Sequence, residues 1–254
     1  MTKQRYFLEI AYDGAAYHGW QRQPNGITVQ EVLEDALSKL LGFTVCVTGQ
    51  GRTDTGVHAL KSYAHLDLEV ELPDKLLFRL NLLLPQGIQV FRIFPVPETA
   101  HARFSALSRT YKYHLHIRKD PFLYGRSTFV FYPISLPPME DGAKIIMQHT
   151  DFASFSRSHT QVKTTICHIT EARWEQNGHR LVFTITANRF LRNMVRAVVG
   201  TLLEIGKGRR TVASLPAMLE TKTRSNAGMS APAHGLYLVE VKYPDWVFSL
   251  AVGE

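Results

Sequence analysis

The order of hydrophobic periods along the 254 residues predicts an α+β fold built from two successive β-α-β-β-α-β units, each a ferredoxin-like split βαβ motif. Three observations carry that prediction. Arg5 to Tyr12 alternates, with Tyr6, Leu8, Ile10 and Tyr12 on one face, as a half-buried strand does. Thr28 to Leu41 repeats at helical spacing, with Val29, Val32, Leu33, Ala36, Leu37 and Leu40 on one stripe, between a Thr28/Glu31 capping box and a closing Gly42. After Pro95 and Pro97 the same order of elements returns.

The remaining elements follow in chain order. Thr44 to Thr48 and Ser62 to Val70 read as strands on either side of a glycine-punctuated loop. Asp74 to Leu84 reads as a helix stopped by Pro85, and Ile88 to Phe94 as the fourth strand. In the second unit Arg109 to Ile117 alternates, and Met139 to His149 has a helical spacing. Ile166 to Trp174 pairs with Leu181 to Ala187 across the turn signal Asn177-Gly178. A long helix over Asn188 to Ile205, a short one near Val212 to Leu219 and a strand at Leu236 to Tyr243 complete the order. The stretch Tyr124 to Asp151 carries little further signal. The expected halves are residues 1–105 and 106–254.

Composition narrows the function. With 45% hydrophobic residues the chain can bury one large core or two modest ones. It has no run of about 18 apolar residues, and its start leads straight into the first strand pattern, so the expected compartment is the cytoplasm and no membrane partner is expected. Cys46 and Cys167 stand alone, which argues against a disulfide framework or thiolate zinc site and for two buried thiols. The net charge of +7 is segregated: residues 1–105 hold 10 Lys+Arg against 11 Asp+Glu, a net of −1, and residues 106–254 hold 19 against 11, a net of +8. A positive field confined to one half suits a polyanion, because each phosphate contact releases counterions.

Chemistry concentrates in Gly49-Gln50-Gly51-Arg52-Thr53-Asp54-Thr55-Gly56-Val57-His58-Ala59. Arg52 and Asp54 lie two residues apart in a loop whose backbone freedom comes from Gly49, Gly51 and Gly56. A P-loop would need Gly-Lys-Ser/Thr where Gly56-Val57-His58 stands, and a dinucleotide fingerprint would need glycine at Asp54. A metal site through Asp54 and His58 lacks further clustered ligands. On the expected long helix, Arg189, Arg192 and Arg196 fall within about 60° of one another beside the apolar face, either as a solvated stripe or as an anion-binding one. Lys207, Arg209 and Arg210 follow, suited to the helix dipole or to phosphates. Alternation puts Tyr111, Tyr113, Leu115 and Ile117 on one face of their strand and His114 and His116 on the other, solvated or near the polyanion.

The loop resembles, nearly letter for letter, the GRTDxGVHA signature of the TruA family of tRNA pseudouridine synthases. Further blocks are similar to that family's elements: Tyr12-Asp13-Gly14 with Tyr17-His18-Gly19-Trp20-Gln21-Arg22-Gln23, His101-Ala102-Arg103-Phe104-Ser105-Ala106 with Arg109-Thr110-Tyr111, Asn188 to Arg196 ending in Met-Val-Arg, and Ala231-Pro232-Ala233-His234-Gly235-Leu236-Tyr237-Leu238. Thr55 departs from the family's usual Ala and adds a hydroxyl beside the carboxylate. The resemblance implies a pseudouridine synthase fold, its two halves joined in one mainly antiparallel sheet with a central cleft. It also implies isomerisation of uridine at positions 38, 39 and 40 of the tRNA anticodon stem-loop, with no cofactor or metal, by a homodimer.

On that resemblance Asp54 is the catalytic carboxylate, Arg196 its partner and Tyr111 the ring that reaches the base. A stacked uridine must be flipped out before any side chain reaches it, and Arg52 is placed to fill the gap. Arg189, Arg192, Lys207, Arg209 and Arg210 are the expected RNA contacts of the basic half. Two rival classes stay open at this level: a non-catalytic RNA-binding protein using paired split βαβ units as stacking platforms, and, third, a metal-dependent nuclease.

Overall fold

Where the chain's donors and acceptors are satisfied decides which of these segments become strands and helices. The computed structural model describes residues 3–156 and 164–251. Along them run β1 (Gln4–Tyr12), α1 (Val29–Leu41), β2 (Thr48–Gly49), β3 (His58–Leu68), α2 (Leu76–Leu83), β4 (Ile88–Val96), β5 (Ser108–His116), β6 (Thr128–Phe129), α3 (Leu136–Gln148), β7 (Ile169–Asn177), β8 (Arg180–Ala187), α4 (Met194–Gly206), α5 (Leu215–Glu220) and β9 (Leu236–Lys242). The fold is α+β. The chain divides into two compact units, Met1–Leu107 with Leu238–Glu254, and Ser108–Tyr237. Among the described residues no helix is long and apolar enough to cross a membrane.

In the first unit β1 lies between β3 and β4, antiparallel to both, and β2 adds to β3 at His65 and Ala64. Helix α1 starts as its capping box requires: Thr28 Oγ1 accepts from the Glu31 amide at 3.3 Å, and Gly42 closes it at φ 80°. Its stripe is buried at Val29, Leu33, Ala36 and Leu37. Strand β1 is buried on both faces. Leu8 and Ile10 serve one, and Phe7, packed edge-on against Tyr243 at 5.5 Å, serves the other, so alternation caught only half of it.

The expected strand at Thr44 to Thr48 forms a ladder only at its end. Val45 N–H donates to Ser38 Oγ at 2.9 Å and Val47 N–H to Glu34 Oε1 at 3.0 Å, so side chains of α1 take the donors a neighbouring strand would have used. Val45 and Val47 are buried and Cys46 between them points out, which corrects the expectation of two buried thiols. Cys167 is buried, and burial pushes its thiol up to about 11.

The second unit orders β7-β8-β5 antiparallel, with the unexpected β6 running parallel to the end of β5. Helix α3 packs on β7 and on α4, with Met139, Ala143 and Ile146 buried. It begins three residues before the expected Met139, because Pro137 and Pro138 fit the first helical turn, where no amide donor is needed. Helix α4 begins at Met194, six residues after the expected Asn188. The reason is local: Asn193 sits in the left-handed region at φ 67°, which interrupts the helical path, and Asn188 is bound to His168 instead, through Oδ1 accepting from its amide at 2.8 Å. The arginine stripe is therefore corrected, since Arg196 is helical but Arg189 and Arg192 lie in the preceding turn.

Candidate functional site

In the first unit the loop between β2 and β3 is anchored on both sides of Asp54. Upstream, Gln50 N–H donates to Tyr63 O at 2.8 Å, and the buried Thr53 meets Tyr12 Oη through its hydroxyl at 3.0 Å. Thr53 O also accepts from Trp20 N–H at 3.3 Å. Downstream, Val57 N–H closes a turn on Asp54 O at 3.1 Å, Gly56 N–H reaches Tyr17 O at 3.3 Å, and the buried His58 Nδ1 lies 3.1 Å from Gly14 N and 2.9 Å from Asp13 Oδ1. Gly19 makes the approach possible: at φ 85° it lies so close under the loop that a Cβ there would stand 2.4 Å from Thr53 O. Asp54 itself is half-buried, with Arg52 and Thr55 exposed on either side.

Tyr12, Tyr17, Gly19 and Trp20, which the sequence offered only as a resembling block, are thus the residues that seat the carboxylate-bearing loop. Arg52 Nε donates to Gln21 Oε1 at 3.2 Å, so the same block also touches the arginine next to it.

A second segment of this unit, residues 101–105, is pinned at Ala102. Ala102 N–H donates to His65 Nδ1 at 3.2 Å and Ala102 O accepts from Tyr243 Oη at 2.5 Å. Burial, and after it the positive charge of Arg5, lowers His65 to about 4, and the neutral ring keeps the lone pair that Ala102 needs. Arg103 and Phe104 then stand exposed, the guanidinium 5.5 Å from the ring centre.

In the second unit Tyr111 is half-buried on β5 opposite Ile185 of β8, with Phe190 edge-on to its ring at 5.2 Å. Its neighbour in the same alternation, Tyr113, is buried and donates to Pro232 O at 2.9 Å; burial raises its phenol well above the ordinary value. Arg196 sits in the first turn of α4 and donates from Nε to Ala231 O at 2.7 Å, while Ala231 N–H returns a bond to Arg196 O at 2.9 Å. Gly200, one turn on, lets the 228–231 segment lie against the helix, since a Cβ would stand 1.7 Å from Met229 O. The sequence showed Gly200 as open to close approach by another backbone, and showed the Ala231 block, but did not pair the two.

The remaining cations differ in exposure and in their neighbours. Arg192 is exposed and Arg189 half-buried in the turn before α4. Lys207 Nζ stands 3.7 Å over the ring of Tyr132, and Arg210 pairs with Glu204 at 3.2 Å and donates to Asn226 O at 2.9 Å. Arg209 is exposed. His116, expected to be solvated or near RNA, is buried instead: its Nδ1 lies 3.0 Å from Ser127 Oγ and its ring stacks on Phe129, because β6 covers it. Asp54 and Arg52 belong to the first unit, and Tyr111, Arg189, Arg192, Arg196, Lys207, Arg209 and Arg210 to the second.

Comparison with known proteins adds an independent finding. A family model described as tRNA pseudouridine synthase matches residues 10–105 and 149–244. The chain is 48% identical over 247 residues to a protein of Parabacteroides distasonis, covering 96% of this chain and 98% of the relative. It is 49% identical over 254 residues to one of Bacteroides thetaiotaomicron, covering 97% and 93%, and 41% identical over 248 residues to one of Bordetella bronchiseptica, covering 94% and 91%. All three relatives bear the name tRNA pseudouridine synthase A.

Proposed function

We propose, from the premise that this chain belongs to the tRNA pseudouridine synthase family and is an isomerase of tRNA uridine, that its targets are positions 38, 39 and 40 of the anticodon stem-loop. The observation that carries the residue assignment is Asp54, a half-buried carboxylate in a loop tied down on both sides. In this reading Asp54 is the ionised catalytic group, Arg196 holds its carboxylate and Tyr111 lies beside the base and assists proton transfer. The bond from the sugar C1′ to uracil N1 breaks, the ring turns, C1′ bonds to C5, the C5 hydrogen leaves and N1 gains a proton. Composition is conserved, so the step balances without a co-reactant.

Arg52 fills the stack that the flipped uridine leaves. Arg189, Arg192, Lys207, Arg209 and Arg210 meet RNA phosphates, Lys207 and Arg210 by exchanging Tyr132 and Glu204 for RNA. In this reading residues 1–105 carry the carboxylate loop and the basic half, residues 106–254, carries the tRNA-binding cations. The protein works in the cytoplasm as a homodimer, because one copy's nearly neutral first half gives a long tRNA little to hold. Light scattering at working concentration checks the dimer, and a fully active monomer removes it.

Transfer RNA labelled with tritium at C5 of uridine tests the activity. Wild type releases the label and leaves the strand intact, whereas Asp54→Asn abolishes release and keeps tRNA binding within about tenfold, or roughly 1.4 kcal/mol. Label release by the Asn variant removes Asp54 from its role. Binding without release by the wild type favours a non-catalytic RNA-binding protein.

A further inference from the structure

Arg52 is held by a chain of side-chain amides whose orientations are all forced from one buried carboxylate. Glu34, on α1 and only 5% exposed, accepts at Oε1 from Val47 N–H at 3.0 Å and at Oε2 from Arg22 Nη1 at 3.1 Å. Gln30, one turn earlier, gives its amide nitrogen to Glu34 Oε1 and to Val47 O, both at 3.0 Å. Both partners can only accept, so the nitrogen must face them. The Gln30 oxygen then faces Arg22 N–H, a fixed donor, at 3.0 Å, and Gln21 Nε2 at 2.8 Å. Gln21, having given its nitrogen, turns its oxygen toward Arg52 Nε at 3.2 Å. Reversing either amide would set donor against donor at one end and oxygen against oxygen at the other.

We infer that Gln21, Gln30 and Glu34 are positioning residues for Arg52, setting the direction of its guanidinium for the step in which the target uridine leaves its stack. This rests on the reading of Arg52 as the group that fills the vacated stack. The chain runs from a helix of the first unit to an exposed residue next to Asp54. It therefore gives a rigid element control over a side chain that would otherwise spend rotamer entropy each time it enters the RNA. None of the three touches the reacting atoms, so their loss should slow base extrusion and leave the chemistry on an extruded base alone.

The test is a single-turnover comparison on two RNAs, one with the target uridine paired in a stem and one with it unpaired in an open loop. Gln21→Met keeps the side chain's length and removes the acceptor. It should slow the stem substrate about tenfold and the loop substrate by no more than about twofold. Gln21→Glu keeps an oxygen for Arg52 but sets its second oxygen against Gln30 Oε1, so it should recover only part of the rate. In a double-mutant cycle Gln21→Met should add nothing to Arg52→Ala on the stem substrate. Equal losses on both RNAs, or additive losses in the cycle, would overturn the inference.

A readout independent of activity separates this from the functional reading. The ¹⁵Nε resonance of Arg52, assigned by its absence in Arg52→Lys, should shift in Gln30→Met although Gln30 does not touch Arg52. An unmoved resonance sinks the relay even in an active enzyme. A shifted resonance in a protein that forms no pseudouridine leaves the relay standing and sinks the reading of Arg52.

Discussion

The loop that presents Asp54 and the turn that leads to Arg196 are both short, non-repetitive and next to regular elements, yet they are built differently. The Asp54 loop is closed by main chain on main chain: Trp20 N–H on Thr53 O, Gly56 N–H on Tyr17 O, and Gly19 pressed beneath at a distance no side chain could share. The Arg196 turn closes on itself through Met194 N–H to Leu191 O at 3.1 Å, but Asn193 within it is left-handed and side chains tie it to the next segment, with Asn193 Nδ2 donating to Ser230 Oγ at 2.6 Å and Arg224 Nη2 to the same oxygen at 2.9 Å. A loop clamped by backbone tolerates few substitutions at its contact points and many at its open ones. A turn held by a side chain can be retuned by a single residue.

The largest expected effect breaks the first half of that contrast. Gly19→Ala puts a methyl 2.4 Å from Thr53 O at a backbone angle of φ 85°. Left-handed geometry alone costs a residue with a Cβ about 1–2 kcal/mol. The overlap falls on backbone, which cannot rotate away, so a total loss of roughly 3 kcal/mol is expected. Displacement of Thr53 also moves Asp54, and a misplacement of the order of 1 Å reduces turnover by about a hundredfold. Gly51→Ala is the control in the same loop, because nothing lies within 4 Å of its added methyl. It should change stability by less than about 0.5 kcal/mol. Urea midpoints and label release on the two variants decide, and a Gly51 variant as damaged as the Gly19 one would show the clamp to be spread along the loop.

What the sequence made legible follows the same line. Repeating elements with a period and a cap, such as β1 and α1, were readable because burial and capping are local properties of the residues involved. The Asp54 loop was readable only as a resemblance to a known signature. Its physical support comes from Gly14 to Trp20, some 35 residues upstream, and no periodicity links the two. The basic stripe of Arg189, Arg192 and Arg196 failed because helical spacing was extended through Asn188 and Asn193. The side chain of Asn188 gives its oxygen to His168 N–H, 20 residues away, and Asn193 goes left-handed with its side chain on Ser230, 37 residues away, so neither is visible in the local spacing. Cys46 and the short β2 failed for a similar reason: two side chains on α1, Ser38 and Glu34, took the amides that a strand would have offered to its neighbour.

The smallest effect sharpens the second half of the contrast by dividing the Asn193 contribution into backbone and side chain. Asn193→Ala loses the bond to Ser230 and also places an ordinary Cβ residue at φ 67°, whereas Asn193→Gly loses the same bond and relaxes the backbone. A neutral hydrogen bond contributes about 1 kcal/mol net, and the left-handed angle costs alanine about 1–2 kcal/mol more than glycine. Alanine should therefore lower stability by about 2 kcal/mol and glycine by less than about 1 kcal/mol, read from urea midpoints at equal slope. Because Arg196 O accepts from Ala231 N–H in the segment that Ser230 joins, label release should follow the same order, with glycine nearer wild type. If the two variants fall together, the bond to Ser230 rather than the backbone angle holds the turn. The place to redesign the approach of Arg196 would then be the 228–231 segment and not the start of the helix.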